Sequence, residues 1–330
     1  MSTRIRILLA VLGVLILTSA AVVYIGQTAS RNRDAAAAGT EGAVTLTGPR
    51  LLFRSTADAE RGHVATVAAA DPGGARAVST MSCSRVYAAG GTGLCLRPES
   101  GLTTYQLAVL DSRLAVKQEI PLVGLPNRAR VSPSGRRVAW TVFVTGDSYN
   151  GGRFSTRAGI LDTASETLEG TLEDFSVTVD GRPYRAADLN FWGVTFAQDD
   201  NRFFATMSTG SHRYLVEGDV AARTIRTVRD GVECPSLSPD GKRIAFKAAL
   251  GGDPARGWRL SVLDLASGVV TPLAETRSVD DQPAWLDPRT VAYGIPRGGG
   301  HSDVWAVAAD GSGTSRLLIP EAESPAALGP

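Results

Sequence analysis

The chain has 330 residues, with 34 Lys+Arg against 33 Asp+Glu and a formal charge of +1, so it holds no charge surplus for a polyanion and is not read as a nucleic-acid binder. Its 36 glycines are about 11% of the chain against a norm of roughly 7%, which favours a turn-rich fold over a long-helix one. An apolar content of 43% excludes a wholly disordered chain, and three histidines with three cysteines leave little material for a metal site.

The first element is the run Ile7 to Gly26, ILLAVLGVLILTSAAVVYIG, in which only Thr18 and Ser19 are polar. That is the length at which a helix crosses the hydrocarbon core. Arg4 and Arg6 precede it on a short leading tail, so residues 1–27 are read as a signal anchor in the cytoplasmic membrane with everything beyond on the extracytoplasmic side. The other reading is a signal peptide cleaved near Thr18-Ser19-Ala20, which would leave a secreted protein. Val22, Val23, Tyr24 and Ile25 continue the apolar run past that point and favour the anchor. Residues 28–42, rich in Ala and other small residues, read as a tether.

From residue 43 onward one pattern recurs: a short alternating strand, an Asp-led turn, and a second strand. Its copies are VATVAAADPGGARAV (64–78), LAVLDSRLAVKQEI (107–120), GILDTASETLEGTL (159–172), LVEGDVAARTIRTV (215–228), SVLDLASGVVTPL (261–273) and WAVAADGSGTSRLL (305–318). The turn aspartates Asp71, Asp111, Asp162, Asp219, Asp264 and Asp310 are separated by 40, 51, 57, 45 and 46 residues. Asp opens such turns because its carboxylate accepts from the backbone two residues on. A second pattern lies upstream of four copies, SPSGRRVAW (132–140), AQDDNRFFAT (197–206), SPDGKRIAF (238–246) and, more loosely, LDPRTVAY (286–293). Each period therefore holds four strands, A to D, at the spacing of a propeller blade. The expectation is an all-β six-bladed propeller of four-stranded blades over residues 43–320, preceded by a transmembrane helix and followed by a tail at 321–330. Each blade is read with four strands of its own; no strand shared between first and last is evident in the letters, and how the ring closes is left open.

These repeats resemble the propeller of the TolB-like translocation proteins, with SPDGKRIAF, VLDLASGVVTPL and DVWAVAADGSGTSRLL carrying the likeness. Blades one and two lack the SPDG turn, and an anchor stands where TolB carries an α/β domain, so the Tol-Pal role does not carry over. The resemblance implies a binding platform in the cell envelope.

Cys83 and Cys95 flank the reversal Ala88–Gly91 and would face each other across a strand pair, so a disulfide is expected. Cys234 has no evident partner and is read as a small buried hydrophobe.

Enzymatic readings find little support in the letters. Gly146-Asp147-Ser148-Tyr149-Asn150 fails the nucleophile-elbow pattern in its fifth position. The SPDG turn places its glycine one position early for a sialidase-type turn, and His63, His212 and His301 fall in three different blades. No catalytic residue, metal or cofactor is assigned. Long segments at 144–157, 173–188, 248–258 and 294–303 are B–C and D–A connections and would project from one face. They supply Tyr149, Arg153, Tyr184, Arg185, Arg256, Trp258, Arg297 and His301 as candidate binding residues, the types that anchor interfaces. Trp140, Phe191, Trp192, Trp285 and Trp305 are read as core between blades. Acids on the same loops favour a protein or peptide partner. The expected protein is a monomeric binding or scaffold propeller; the alternative is an extracytoplasmic hydrolase or lyase using carboxylates in the central channel.

Overall fold

The computed structural model describes residues 43–99, 104–144 and 155–329. The anchor, the tether, Tyr149 and Arg153 lie outside the described residues. Among the described residues no helix is long and apolar enough to cross a membrane. The chain divides after Ala43, and the unit Val44–Pro330 is the propeller.

Blade one takes β1 (Arg50–Ser55), β2 (His63–Ala68) and β3 (Ala77–Ser82). Blade two is β4 (Arg85–Ala89), β5 (Thr92–Pro98), β6 (Tyr105–Leu110) and β7 (Val116–Leu122). Blade three is β8 (Leu125–Val131), β9 (Arg137–Val144), β10 (Ser155–Asp162) and β11 (Thr167–Thr171). A hairpin, β12 (Ser176–Val179) and β13 (Arg182–Tyr184), precedes blade four, which is β14 (Asn190–Phe196), β15 (Arg202–Thr209), β16 (His212–Asp219) and β17 (Thr224–Asp230). Blade five is β18 (Glu233–Leu237), β19 (Arg243–Ala249), β20 (Trp258–Asp264) and β21 (Val270–Pro272). Blade six is β22 (Ala284–Asp287), β23 (Thr290–Gly298), β24 (His301–Ala308) and β25 (Arg316–Ile319), and the chain ends in β26 (Ala322–Leu328).

The repeated letters do the local work expected of them. Oδ1 of Asp111, Asp162, Asp219, Asp264 and Asp310 accepts from the backbone N–H of Arg113, Ala164, Ala222, Ser267 and Ser312, at 2.8–2.9 Å in each case. In the A–B turns the Ser132 and Ser238 hydroxyls accept from Arg137 and Arg243 N–H at 3.0 Å, and Gly135 and Gly241 take positive φ. Strands buried on both faces then stack blade on blade. The core is accordingly six separate layers, one per blade interface, such as Leu94, Leu107, Val138 and Trp140 between blades two and three, and Leu260, Val262, Trp285 and Tyr293 between five and six. Trp140, Phe191 and Trp285 are buried as expected, whereas Trp192 and Trp305 remain partly exposed. Cys83 and Cys95 are bonded, with Cα atoms 5.5 Å apart, the bond of an oxidising compartment.

Two expectations are corrected. Residues 322–328 are not a tail. β26 pairs antiparallel with β1, as Leu51↔Ala327 and Leu52↔Ala326, and is the innermost strand of blade one. The ring therefore closes through a blade shared between the two ends of the propeller, which is why the first repeat shows no A–B turn of its own. Residues 173–188 are also not a face loop. β12 pairs in parallel with β17 and extends blade four outward to six strands, turning at Asp180-Gly181, both at positive φ. Phe175 and Val177 hold the hairpin to the core, with Phe175 edge-on to Phe203 at 6.1 Å.

Truncation after Pro320 strips blade one of its inner strand and exposes the edge of β1. It is expected to lower the thermal unfolding midpoint by ~10 °C or more, read by circular dichroism. An unchanged midpoint would show that β26 does not carry the closure.

Candidate functional site

The innermost strands β4, β8, β14, β18, β22 and β26 surround the axis and contact one another in turn. Each runs from the D–A face to the A–B face, and several are bulged. The ladder slips between Pro126 and Arg128, between Trp192 and Thr195, and between Glu233 and Ser236. Gly193, Cys234 and Ser324 take φ of +66°, +49° and +54° there. Glu233-Cys234-Pro235-Ser236, Asp281-Gln282-Pro283-Ala284 and Glu323-Ser324-Pro325-Ala326 occupy the same place in blades five, six and one. Blades two and three bring arginines instead, at Arg85, Arg128 and Arg130.

The carboxylates of this ring are taken up by the protein. Glu323 pairs with Arg54 at 2.9 Å and Arg85 at 3.6 Å, Glu233 with Arg213 at 2.7 Å, and Asp280 with the buried Lys247. Burial pushes Glu233 up to about 7 against the pull of Lys247 and Arg213. The two oxygens of Asp281 accept from Gln282 N–H and Gly294 N–H, each at 2.9 Å. Among the described residues no group of three or more His, Cys, Asp or Glu side chains could hold a metal ion.

Two side chains cross the axis. Arg130, 5% exposed, lies over the Tyr87 ring at 4.3 Å and donates from Nη2 to Pro283 O of the opposite blade at 3.1 Å. Gln282 donates to Val194 O at 3.2 Å and Pro235 O at 2.8 Å. On the A–B side of this waist opens a cavity of about 670 Å³, walled by Leu46, Tyr87, Phe196, Trp285 and Leu328 with Arg130 among its lining residues. Its rim is made by the repeat turns, where Gly90 (φ +55°) meets the next blade so closely that a Cβ would lie 2.3 Å from the Ser134 carbonyl carbon. A narrow recess of about 30 Å³ adjoins Arg85, Arg128, Arg130, Asp281 and Gln282.

The residues expected to bind from the loops fall in separate places. Tyr184 is half-buried in β13 against the core, its hydroxyl 2.9 Å from Thr209 Oγ1, and Arg185 beside it is exposed. In blade five Arg256 is exposed, while Trp258 receives Lys247 over its ring at 3.9 Å. In blade six β23 and β24 form one extended hairpin. Arg297 pairs there with Asp303 at 2.9 Å, and His301 lies 3.6 Å from Asp58 of blade one. Cys234 is buried as expected, but in the channel wall against the Arg128 guanidinium. Sequence reasoning missed Arg128, Arg130 and the connection 273–283 that delivers Asp280, Asp281 and Gln282. For the connection the signal was present as the acid-x-Pro step repeated ahead of the A–B turn.

Neither a family model nor a curated protein matches this chain by sequence. Among solved structures, TolB from Acinetobacter baumannii superposes with a TM-score of 0.63 at 17% identity, over 86% of this chain and 67% of that one. The chain has the fold of a TolB-like propeller. Putative TolB from Agrobacterium tumefaciens follows at 0.50 and 12% identity, over 84% and 90% of the two chains. A chain of a nidogen/laminin complex reaches 0.55 at 11% identity, over 85% and 98%. At such identities the likeness shows the fold alone.

The connection 273–283 of this TolB-like propeller is pinned by Glu275. Burial alone would raise its carboxyl, but Arg277, at 2.9 and 2.5 Å, and the Tyr293 hydroxyl, at 2.8 Å, outweigh it and hold it at about 2. A folded value below the unfolded 4.5 means stability that is present above 4.5 and lost as pH falls toward 2. Glu275→Gln is expected to cost about 2 kcal/mol at pH 7, with the gap to wild type narrowing in denaturation measured at pH 3. A gap that stays constant with pH would refute the pairing as its source.

Proposed function

We propose that this chain is a membrane-tethered, extracytoplasmic binding propeller that holds a protein or peptide partner of the cell envelope at the A–B mouth of its axis. The observation that carries the reading is the cavity of about 670 Å³ framed by the repeat turns. Its size lies within the range of ligand pockets, and its wall mixes apolar side chains with polar groups around one buried cation, which can orient a ligand. The Cys83–Cys95 disulfide and the apolar run Ile7 to Gly26 support the location. The hydrolase or lyase alternative has less support. Glu323, Glu233 and Asp280 each face a cation and Asp281 accepts from two backbone N–H groups, and among the described residues no His, Cys, Asp or Glu cluster fit for a metal joins them. The loop face, with Arg185, Arg256, Trp258, Arg297 and His301, is the second candidate surface. Its described cations are partly engaged within the fold.

The test is photo-cross-linking of the full chain in its own cells, with the photoreactive residue placed at Pro133 or Pro239 on the rim, or at Arg185 or Arg256 on the loop face. One discrete adduct from the rim positions, recovered with the membrane fraction, is the expected result. Adducts only from the loop positions would move the site to that face, and a soluble fraction lacking the N-terminus would overturn the tether.

A further inference from the structure

We propose that the waist of the axis is an anion site, at which a carboxylate carried by the ligand of the A–B mouth seats against Arg130 and Arg128. The inference rests on the reading of that mouth as the ligand site. A guanidinium stays charged at any pH the protein meets, and a charge withdrawn from water is stable only when paired. The acids around the axis are already committed: Glu323 to Arg54 and Arg85, Glu233 to Arg213, Asp280 to Lys247. Among the described residues neither Arg128 nor Arg130 makes an ion pair. The Nε of each is buried without an acceptor; Arg130 bonds the neutral carbonyl of Pro283 and Arg128 that of Asn127, both at 3.1 Å, with Arg128 also against Cys234 and in the field of Asp280 and Asp281. Arg130 is therefore a buried cation with no acid paired to it among the described residues, and Arg128 is compensated only at longer range by Asp280 and Asp281.

The space beside them sets what that partner is. The recess of about 30 Å³ between Arg85, Arg128 and Arg130, with Asp281 on its wall turned to the N–H groups of Gln282 and Gly294, admits a group of about one water's size, such as a single anionic oxygen. The adjoining cavity is far larger and is walled by Tyr87, Phe196 and Trp285. Arg130 lines both spaces. The matching ligand is a carboxylate on an apolar or aromatic body, as a peptide presents at its C-terminus or on an acidic side chain. A guanidinium meets a carboxylate with parallel N–H donors, which gives the site direction as well as charge.

The test uses the full chain in detergent with N-acetylphenylalanine and its amide as probes, at constant ionic strength, read by calorimetric titration and by Trp285 fluorescence with Trp285→Phe as control. The acid is expected to bind about tenfold tighter than the amide, a preference that Arg130→Met removes and Arg130→Lys partly keeps. Should Arg130→Met fail to unfold cooperatively, Arg128→Met takes its place, with the same loss expected. Equal binding of acid and amide would overturn the anion site while leaving the cavity as a binding site. No binding of either probe at 10 mM, on the order of the weakest single-contact affinities, would overturn it too, and rim cross-linking decides separately whether the mouth still holds a partner. A chloride titration is the last arm. Chloride that quenches Trp285 and is not displaced by N-acetylphenylalanine would assign the waist to a free inorganic ion and overturn a ligand-borne carboxylate.

Discussion

The pairing of β26 with β1 is the contact on which the rest of the propeller depends. Six blades that touch only their neighbours form an open arc unless the first and last are joined, because each inter-blade layer is satisfied locally. Seating Ala322–Leu328 inside Arg50–Ser55 joins residues nearly a full chain apart and covers the inner edge of β1. Apolar burial is non-directional and does not by itself fix a register. A hydrogen-bonded strand with one allowed register does. The join is reinforced on either side: Arg54 of β1 pairs with Glu323 of β26, and Thr56 exchanges bonds with Ser302 of blade six, each at 3.1 Å.

Closure also fixes the electrostatics of the axis. Glu323 arrives with β26 and takes Arg54 and Arg85, so blade two's inner arginine is partly neutralised by the last strand of the chain. The connection 273–283 does the same from blade five, bringing Asp280 to Lys247 and setting Asp281 on the backbone. Blade three receives no acid in direct ion pairing with its inner arginines among the described residues; Asp280 and Asp281 reach Arg128 only at longer range. Its inner strand carries Arg128 and Arg130 and stands opposite blade six, whose direct contact with Arg130 is the neutral Pro283 carbonyl, with Asp281 held on backbone N–H groups nearby. The asymmetry of the channel follows from which blades carry the acid-x-Pro step and which do not.

Much of this was legible in the letters and some was not, for identifiable reasons. The C–D hairpins and A–B turns could be read because their chemistry is local: an Asp or Ser side chain bonding its own turn leaves the same residues at the same spacing in each repeat. The Cys83–Cys95 bond could be read because both residues flank one reversal. β26 was hidden because AESPAAL has neither a turn of its own nor strong strand residues, and its partner lies at the far end of the chain. The hairpin 176–184 carried a plain signal in SVTVDGRPY, an Asp-Gly turn between alternating strands, but a blade template with four places had none for it. The anchors Tyr184 and Trp258 were chosen by residue type, which does not reveal that one packs in a hairpin and the other stacks on Lys247. Arg130 was passed over because it lies in LPNRARV, a strand whose inward face only the ring defines.

A propeller offers two kinds of surface, and they differ in what they can specify. Loops on a face can be lengthened in one blade without disturbing the others, so a loop such as Leu250–Arg256 adds contact area with little constraint on geometry. The axis is different, because every inner strand contributes to it and a change in one is felt by the strands beside it. Gly193 shows the point: a Cβ there would come 2.9 Å from the Cα of Cys234 in the next blade. A buried arginine kept at such a place, held over the Tyr87 ring and tied to the opposite wall through one carbonyl, is costly to desolvate. Replacing buried ionic groups with apolar ones of similar shape is often neutral or stabilising, so stability alone gives no reason for the charge. Its position between the cavity and the recess gives it one: the group that crosses the axis is the one a ligand entering from the A–B mouth meets last.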